Sequence, residues 1–396
     1  MFKSYKYRIY PNKVQLVLLN KTFGCVRYFW NKQVEIFNSY NKETNPNPLY
    51  LTSTQIRHQN DWMLEVSAAA IQQKEIDFKE FKNQKFNKQR KKVIGRPKFK
   101  KKSNNQLYRL PNKKFSLKDN KIRLEKIGNV KIVIDRQIPI EAKLMSVTIS
   151  KNCSNQYFVS VLVDHEIIKF NKTNKEVGID VGLKEFLVQS DNIIVGNPKY
   201  FSNSQAKLKG IQQRHSKKIK ESKRRNKFRL KVSRLHQKIS NQRDWFLNNE
   251  SLRIVRDYDV IYIENLNIQG MIKNHKLAKS IYDVSWSKFF DMLKYKSNWY
   301  DKQVIKIERF EPTSKICSCC GWIDDNQTLN DRIFNCSRCG LTIDRDLNAA
   351  INIRNIGIKA LGVDNAIRTL RDKVTICDEA FKSQNSRNII RFTTMI

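Results

Sequence analysis

The sequence predicts a chain in two parts: a small antiparallel β-barrel or sandwich carrying helices, then an α/β domain with a cysteine-rich insert near its end. Three observations predict it. Short β-branched and aromatic runs crowd residues 107–164, with turn residues between them. From Glu176 onward apolar strands alternate with helical stretches, as in an α/β sheet. Two C-x-x-C pairs, Cys317–Cys320 and Cys336–Cys339, stand apart from both patterns, just before the last helical segment.

Length and charge bound the function. With 396 residues the chain can hold two or three domains. Lys and Arg number 76 against 37 Asp and Glu, a formal net charge of +39. Such a chain seeks a polyanion. Nucleic acid is the natural one, because each phosphate paired with Lys or Arg releases condensed counterions. A ribosomal-type protein would share this charge. An anionic-membrane binder would need an amphipathic basic helix or a lipid anchor, and neither is evident. No apolar run is long enough to span a bilayer. The start, Met1-Phe2-Lys3-Ser4-Tyr5-Lys6, lacks the apolar stretch of a signal peptide, so a cytoplasmic protein is expected. There, clustered cysteines read as metal ligands rather than disulfides. Five cysteines are clustered (Cys317, Cys319, Cys320, Cys336, Cys339), while Cys25, Cys153 and Cys377 are scattered.

In the first half, residues 2–9 read as a strand ended by Pro11. A helix follows from Asn12, with Leu16, Leu19, Phe23, Val26, Trp30, Val34 and Phe37 on one face. Gly24 is expected to mark a turn that divides it. Asn45-Pro46-Asn47-Pro48 reads as a loop. Ser67 to Phe86 reads as a second helix, with Ala70, Ile71, Phe78 and Phe81 facing a core. Residues 88–103 are almost entirely basic around Gly95-Arg96-Pro97, either a solvated linker or a loop that grips phosphates. Lys121–Leu124, Val130–Ile134, Leu144–Ile149 and Tyr157–Val163 are the strands of the barrel or sandwich.

In the second half, strands are expected at 177–182, Glu185–Gln189 and Ile193–Val195. A long basic helical region, 204–256, carries Phe228, Val232, Leu235, Ile239 and Phe246 on one stripe. Its other face bears Lys223, Arg224, Arg225, Lys227, Lys231, Arg234 and Lys238 with almost no acids, which favours a phosphate backbone over plain solvation. The strand Val260–Ile263 runs into Glu264, a helix covers Ser285–Tyr300, and a strand covers Val304–Ile307. A last helix starts near Leu347, and periodicity is weak after about Asp372.

The chemistry lies in cysteines and acids. Cys317, Cys320, Cys336 and Cys339 form two C-x-x-C pairs with fifteen residues between them, followed by Gly321 and Gly340. Four thiolates close a tetrahedral sphere, so one structural Zn²⁺ is expected. Cys319 is too near Cys317 to join it in a knuckle. Asp180 sits mid-strand among apolar residues, and Glu264 ends another apolar strand. A buried carboxylate costs several kcal/mol unless a partner or metal offsets it. Asp346 opens a helix, where an acid is also an ordinary first-turn residue or cap. Taken together, the three acids could converge on Mg²⁺, which takes oxygen ligands. Two such ions can activate water and stabilise a leaving oxygen in phosphodiester cleavage. The histidines (His58, His165, His215, His236, His275) have no metal-binding spacing, and no Walker or G-x-G-x-x-G loop is present.

The motifs G-I-D-V-G at 178–182, I-E-N-L-N at 263–267, T-S-K-I-C-S-C-C-G at 313–321 and D-R-D-L-N-A-A-I-N-I at 344–353 follow the order found in the TnpB family. These are OrfB-type, transposon-encoded RNA-guided nucleases, relatives of the compact type V CRISPR effectors. With Y-R-I-Y-P at 7–11 and Gly95-Arg96-Pro97-Lys98-Phe99, the chain resembles that family over nearly its whole length. The resemblance implies a RuvC/RNase H-like nuclease domain over 171–372 with a zinc-binding insert over 311–345. A wedge-like β-barrel over 1–170 would precede it, carrying a helical recognition lobe over 12–105, and residues 373–396 would be a disordered tail. Asp180, Glu264 and Asp346, rather than Asp344, would bind two catalytic Mg²⁺ ions. The cysteine insert would bear zinc and load the target strand. The partners would be a guide RNA encoded at the transposon end and target double-stranded DNA beside a short motif. A monomer without a membrane is expected, nucleoid-associated in a bacterium when bound to DNA. The sequence departs from the family at Cys319 and at Asn298-Trp299-Tyr300-Asp301, where a glycine is common.

Three other readings stand beside this one. A compact type V CRISPR effector differs only in genomic context. A non-cleaving RNA-guided repressor of the same fold would lack the acids, and all three are present. A strand-transfer transposase of the tyrosine type would need a histidine pair, and no His-x-His occurs.

Overall fold

The computed structural model describes residues 1–40, 48–87, 94–103, 105–309, 311–325, 328 and 331–361, together with the backbone of 389–390. The loop expected at 45–48 falls almost wholly outside these residues. So do most of the tail expected at 373–396 and the 88–93 part of the basic segment. The chain forms two compact units. One comprises Met1–Glu166 with Lys220–Arg234, and the other comprises Ile167–Ile219 with Leu235–Ile396.

The first unit opens with β1 (Phe2–Tyr10) and α1 (Lys13–Asn38). Asn12 caps α1 in a capping box with Gln15, so the first orphan backbone groups of the helix are paired. Leu19, Phe23, Val26 and Val34 are buried along one face, as their spacing requires. The turn expected at Gly24 is absent. The helix runs straight through it, since one glycine costs only about 1 kcal/mol, less than an unbroken apolar face contributes. A short α2 (Ser53–His58) leads to α3 (Ala68–Phe86). Phe78 and Phe81 of α3 meet Trp30 of α1 edge-on, with ring centroids 5.3 and 6.4 Å apart.

Six further strands complete the unit's sheet: β2 (Gln106–Pro111), β3 (Phe115–Lys118), β4 (Lys121–Leu124), β5 (Gly128–Val133), β6 (Lys143–Lys151) and β7 (Tyr157–Asp164). The order is β2-β6-β7-β1-β5-β4-β3, antiparallel throughout. The β-barrel expected here takes the form of a curled half-barrel, whose edge strands β2 and β3 do not pair with each other among the described residues. Alternate residues of β1 and β7 point inward, and Tyr7, Ile9, Val159 and Val161 join Phe23, Phe29 and Ile71 in one core.

In the second unit β8 (Glu176–Val181), β9 (Glu185–Gln189) and β10 (Ile194–Gly196) form an antiparallel meander. Helices α4 (Tyr200–Ser216) and α5 (Lys223–Asp257) follow. Next come β11 (Val260–Ile263), α6 (Ile268–Met271), α7 (His275–Val284), α8 (Trp286–Tyr300) and β12 (Gln303–Lys306). The hairpin β13 (Ile333–Asn335) and β14 (Thr342–Asp344), α9 (Arg345–Ala360) and β15 (Ile389–Ile390) close the list. The six-stranded sheet has the order β12-β11-β8-β9-β10-β15, with β12, β11 and β8 parallel. Phe186, Phe246, Leu247, Phe289 and Leu293 pack on it as the core.

Candidate active site and metal centre

Two glycine-sized gaps set helix α9 on the sheet. A Cβ on Gly178 would lie 2.1 Å from the Ala350 carbonyl oxygen, and one on Gly357 would lie 2.0 Å from the Tyr262 ring. Gly178 of β8 and Tyr262 of β11 therefore both face α9. Strand side chains alternate between faces, so the residues two positions further on, Asp180 and Glu264, share that side. Gly178 pairs with Tyr262 and Ile179 with Ile263, and the next position on each chain is an acid. The strands are parallel, so both carboxylates leave the sheet at its carboxyl end, where open α/β sheets place their ligands. Asp346 lies one helical turn before Ala350, which brings it to the same place.

Electrostatics register this convergence. The Asp180 carboxyl is pushed well above the usual carboxylate range, first by removal from water and then by the negative charges of Glu264 and Asp346. A backbone hydrogen bond at Val181 and the charge of Arg345 act in the opposite sense without prevailing. Arg345 approaches Asp346 at 3.5 Å and Arg332 approaches it at 3.9 Å. Asp344 has a different task. Its side chain caps α9, accepting from the backbone N–H groups of Asp346 (2.9 Å) and Leu347 (3.2 Å).

The sequence quoted, without assigning, several residues that fix this arrangement. Thr313 Oγ1 donates to Glu264 Oε1 at 2.8 Å. Asn348 is fully buried in α9. It donates to the Ile316 carbonyl (2.7 Å) and accepts from the Ser318 N–H (2.9 Å). Asn352, one turn later, donates to the carbonyls of Thr313 and Ile316 at 2.8 and 2.6 Å. The turn leading into the first cysteine pair is thereby stapled along the helix that carries Asp346.

The four cysteines build two matching turns. Gly321 N–H bonds to the Cys317 carbonyl and Gly340 N–H to the Cys336 carbonyl, each at 2.9 Å. Both glycines adopt positive φ, 75° and 73°, which side chains rarely tolerate. Cys317 and Cys339 sulfurs lie 3.6 Å apart, as do those of Cys320 and Cys336. A tetrahedron of ~2.3 Å metal–sulfur bonds has edges of about 3.8 Å, so the donor set fits a metal ion. Among the described residues these thiols are the one group of three or more ligating side chains whose donor atoms all lie within 4.8 Å of one another. The three acids are spaced more widely.

Comparison with known proteins places this geometry in a lineage. Family models match residues 1–45 (a helix-turn-helix domain of OrfB proteins), 158–275 ("Probable transposase", OrfB of the IS605 type) and 286–353 (a Cas12f1-like TNB domain). A protein of Streptomyces pristinaespiralis with RNA-guided DNA endonuclease in its name is 32% identical over 97% of this chain and 96% of its own. InsQ of Escherichia coli K12, which carries the same words in its name, is 25% identical over 93% and 96%. A Cas12f1 chain solved by cryo-EM with sgRNA and target DNA superposes with a TM-score of 0.53 at 14% identity. It covers 90% of this chain and 99% of that one. Motifs, sheet, helix α9 and relatives agree: the chain belongs to the TnpB family of transposon-encoded RNA-guided endonucleases.

Proposed function

We propose that this protein is an RNA-guided endonuclease that hydrolyses double-stranded DNA beside a short transposon-associated motif, using a RuvC/RNase H-like site of Asp180, Glu264 and Asp346. The observation that carries the reading is the convergence of three acids at one sheet end, where burial and then the charges of Glu264 and Asp346 push the Asp180 carboxyl well above the usual carboxylate range. Three acids gathered this way need cationic charge to ionise together. Their oxygens suit Mg²⁺, and a pair of such ions is the arrangement that serves phosphodiester hydrolysis. Bound divalent cations would supply a Lewis-acidic pair that activates water and stabilises the leaving oxygen. The chain's own contribution is placement: Gly178 and Gly357 let α9 sit on the sheet, and Thr313 holds the Glu264 carboxylate. Cys317, Cys320, Cys336 and Cys339 would hold one Zn²⁺ as structure, since four thiolates leave no open position. The relatives' names and the charge of +39 support a guide RNA and target DNA as partners.

Asp180→Ala tests the assignment. The variant is expected to retain guide and target binding while double-strand cleavage in Mg²⁺ falls by at least 10³-fold, the order removed with a principal catalytic group. Wild-type cutting by this variant would reject the site.

A further inference from the structure

Within the first unit a cavity of about 570 Å³ opens between α1, the β6–β7 turn and the start of α5. That volume lies inside the range of small-ligand sites. Arg27, Lys102, Lys151 and Arg229 line it, and no acid does among the described residues. None of the four makes an ion pair with a carboxylate among the described residues. Four uncompensated cations around one cavity repel each other, so the site is poised for an anion.

The walls are built rather than incidental. Arg27 Nη1 donates to Gln106 Oε1 at 2.7 Å, and Lys151 Nζ donates to Asn20 Oδ1 at 3.1 Å. The Asn152 carboxamide oxygen accepts from the backbone N–H groups of Ser154 and Gln156 at 3.0 and 2.9 Å, fixing the turn. Ser154 and Ser233 hydroxyls, 2.8 Å apart, fasten that turn to α5. Phe23, itself buried in the core, touches the floor, and Asn155 and Asn226 add carboxamides that can both donate and accept.

We infer that this cavity receives one unpaired nucleotide, its phosphate held by the four cations and its base hydrogen-bonded by the carboxamides of Asn155 and Asn226. Single-stranded segments are what proteins read by splaying bases out in this way. The inference rests on the nucleic-acid reading above and adds a place to it. The nucleotide comes from the guide RNA or from a displaced target strand, which share this chemistry.

Cys153, exposed at the rim, reports occupancy. The full-length protein is treated with N-ethylmaleimide and labelling at Cys153 is mapped by peptide mass spectrometry. At least tenfold protection in the guide complex is expected, assigning the nucleotide to the guide. Protection that appears only after target DNA is added assigns it to the target strand. Lys102→Ala/Arg229→Ala should remove the protection, weaken binding about tenfold and lower the slope of log affinity against log salt by about 0.7, the share of one phosphate on a single strand. Asn20→Trp, which narrows the cavity without changing charge, should also remove the protection. Cys153 as reactive in both complexes as in the free protein overturns the proposal. A preparation holding no defined RNA defeats the functional reading instead. Oligouridylate is then the probe, and an unprotected Cys153 under it overturns the pocket as well.

Discussion

Thr313 joins two sites with one hydroxyl. It lies at the foot of the cysteine insert, where Asn352 holds its carbonyl, and it donates to Glu264. A hydrogen bond to a charged group contributes about 1.5–3 kcal/mol. Thr313→Val keeps the shape and removes the donor. Cleavage is expected to slow by about 10- to 100-fold, with more Mg²⁺ needed for half-maximal rate, while guide affinity and fold stay as they were. A magnesium titration of the cleavage rate checks this, and an unchanged profile would remove Thr313 from the site. Asp180 and Glu264 stood out as candidates in the sequence because a carboxylate within an apolar strand demands an explanation. Asp346 was separable from Asp344 only by resemblance, because either acid can open a helix. The capping bonds of Asp344 give that residue a structural task of its own. Thr313, Asn348 and Asn352 stood in the quoted motifs, but their roles depend on a segment folding back over α9, which no local pattern announces.

At the scale of elements, the site depends on how closely α9 lies on β8. Gly178 permits that approach, since any Cβ there would collide with the backbone of Ala350 and Arg354. Backbone atoms cannot rotate aside as a flexible side chain can, so Gly178→Ala must lift the helix. A cost of about 1–3 kcal/mol or more is expected, with a large loss of cleavage because Asp346 moves with α9. Equilibrium unfolding alongside a cleavage assay measures both, and a fully active, equally stable variant would show that the helix can shift freely. Helices and strands were largely readable from periodicity, including the start of α1 near Asn12. Two features were not. Gly24 reads as a breaker, but propensity is weak against a continuous buried face. Strand spacing announced a β-rich half, yet whether β2 meets β3 depends on partners far apart in sequence, so an open half-barrel and a closed barrel look alike beforehand.

At the scale of the molecule, two units with separate cores invite separate responses. The first is built on Tyr7, Phe23, Phe29 and Tyr108, and the second on Phe186, Phe246, Phe289 and Leu293. Domains with their own cores can unfold in their own transitions. The three acids all belong to the second unit, and their mutual repulsion in the metal-free protein makes that unit the one a divalent cation stabilises. A ligand that binds only the folded form adds about 2.7 kcal/mol at a hundredfold excess over Kd. Calorimetry of the RNA-free protein is therefore expected to show two transitions, with Mg²⁺ raising one of them by several degrees and leaving the other in place. In Asp180→Ala the same transition should start higher, because a carboxyl that is costly to bury beside two other acids is gone, and should respond less to Mg²⁺. A magnesium shift shared equally by both transitions, or one undiminished in the variant, would mean that the ions bind somewhere other than between Asp180, Glu264 and Asp346.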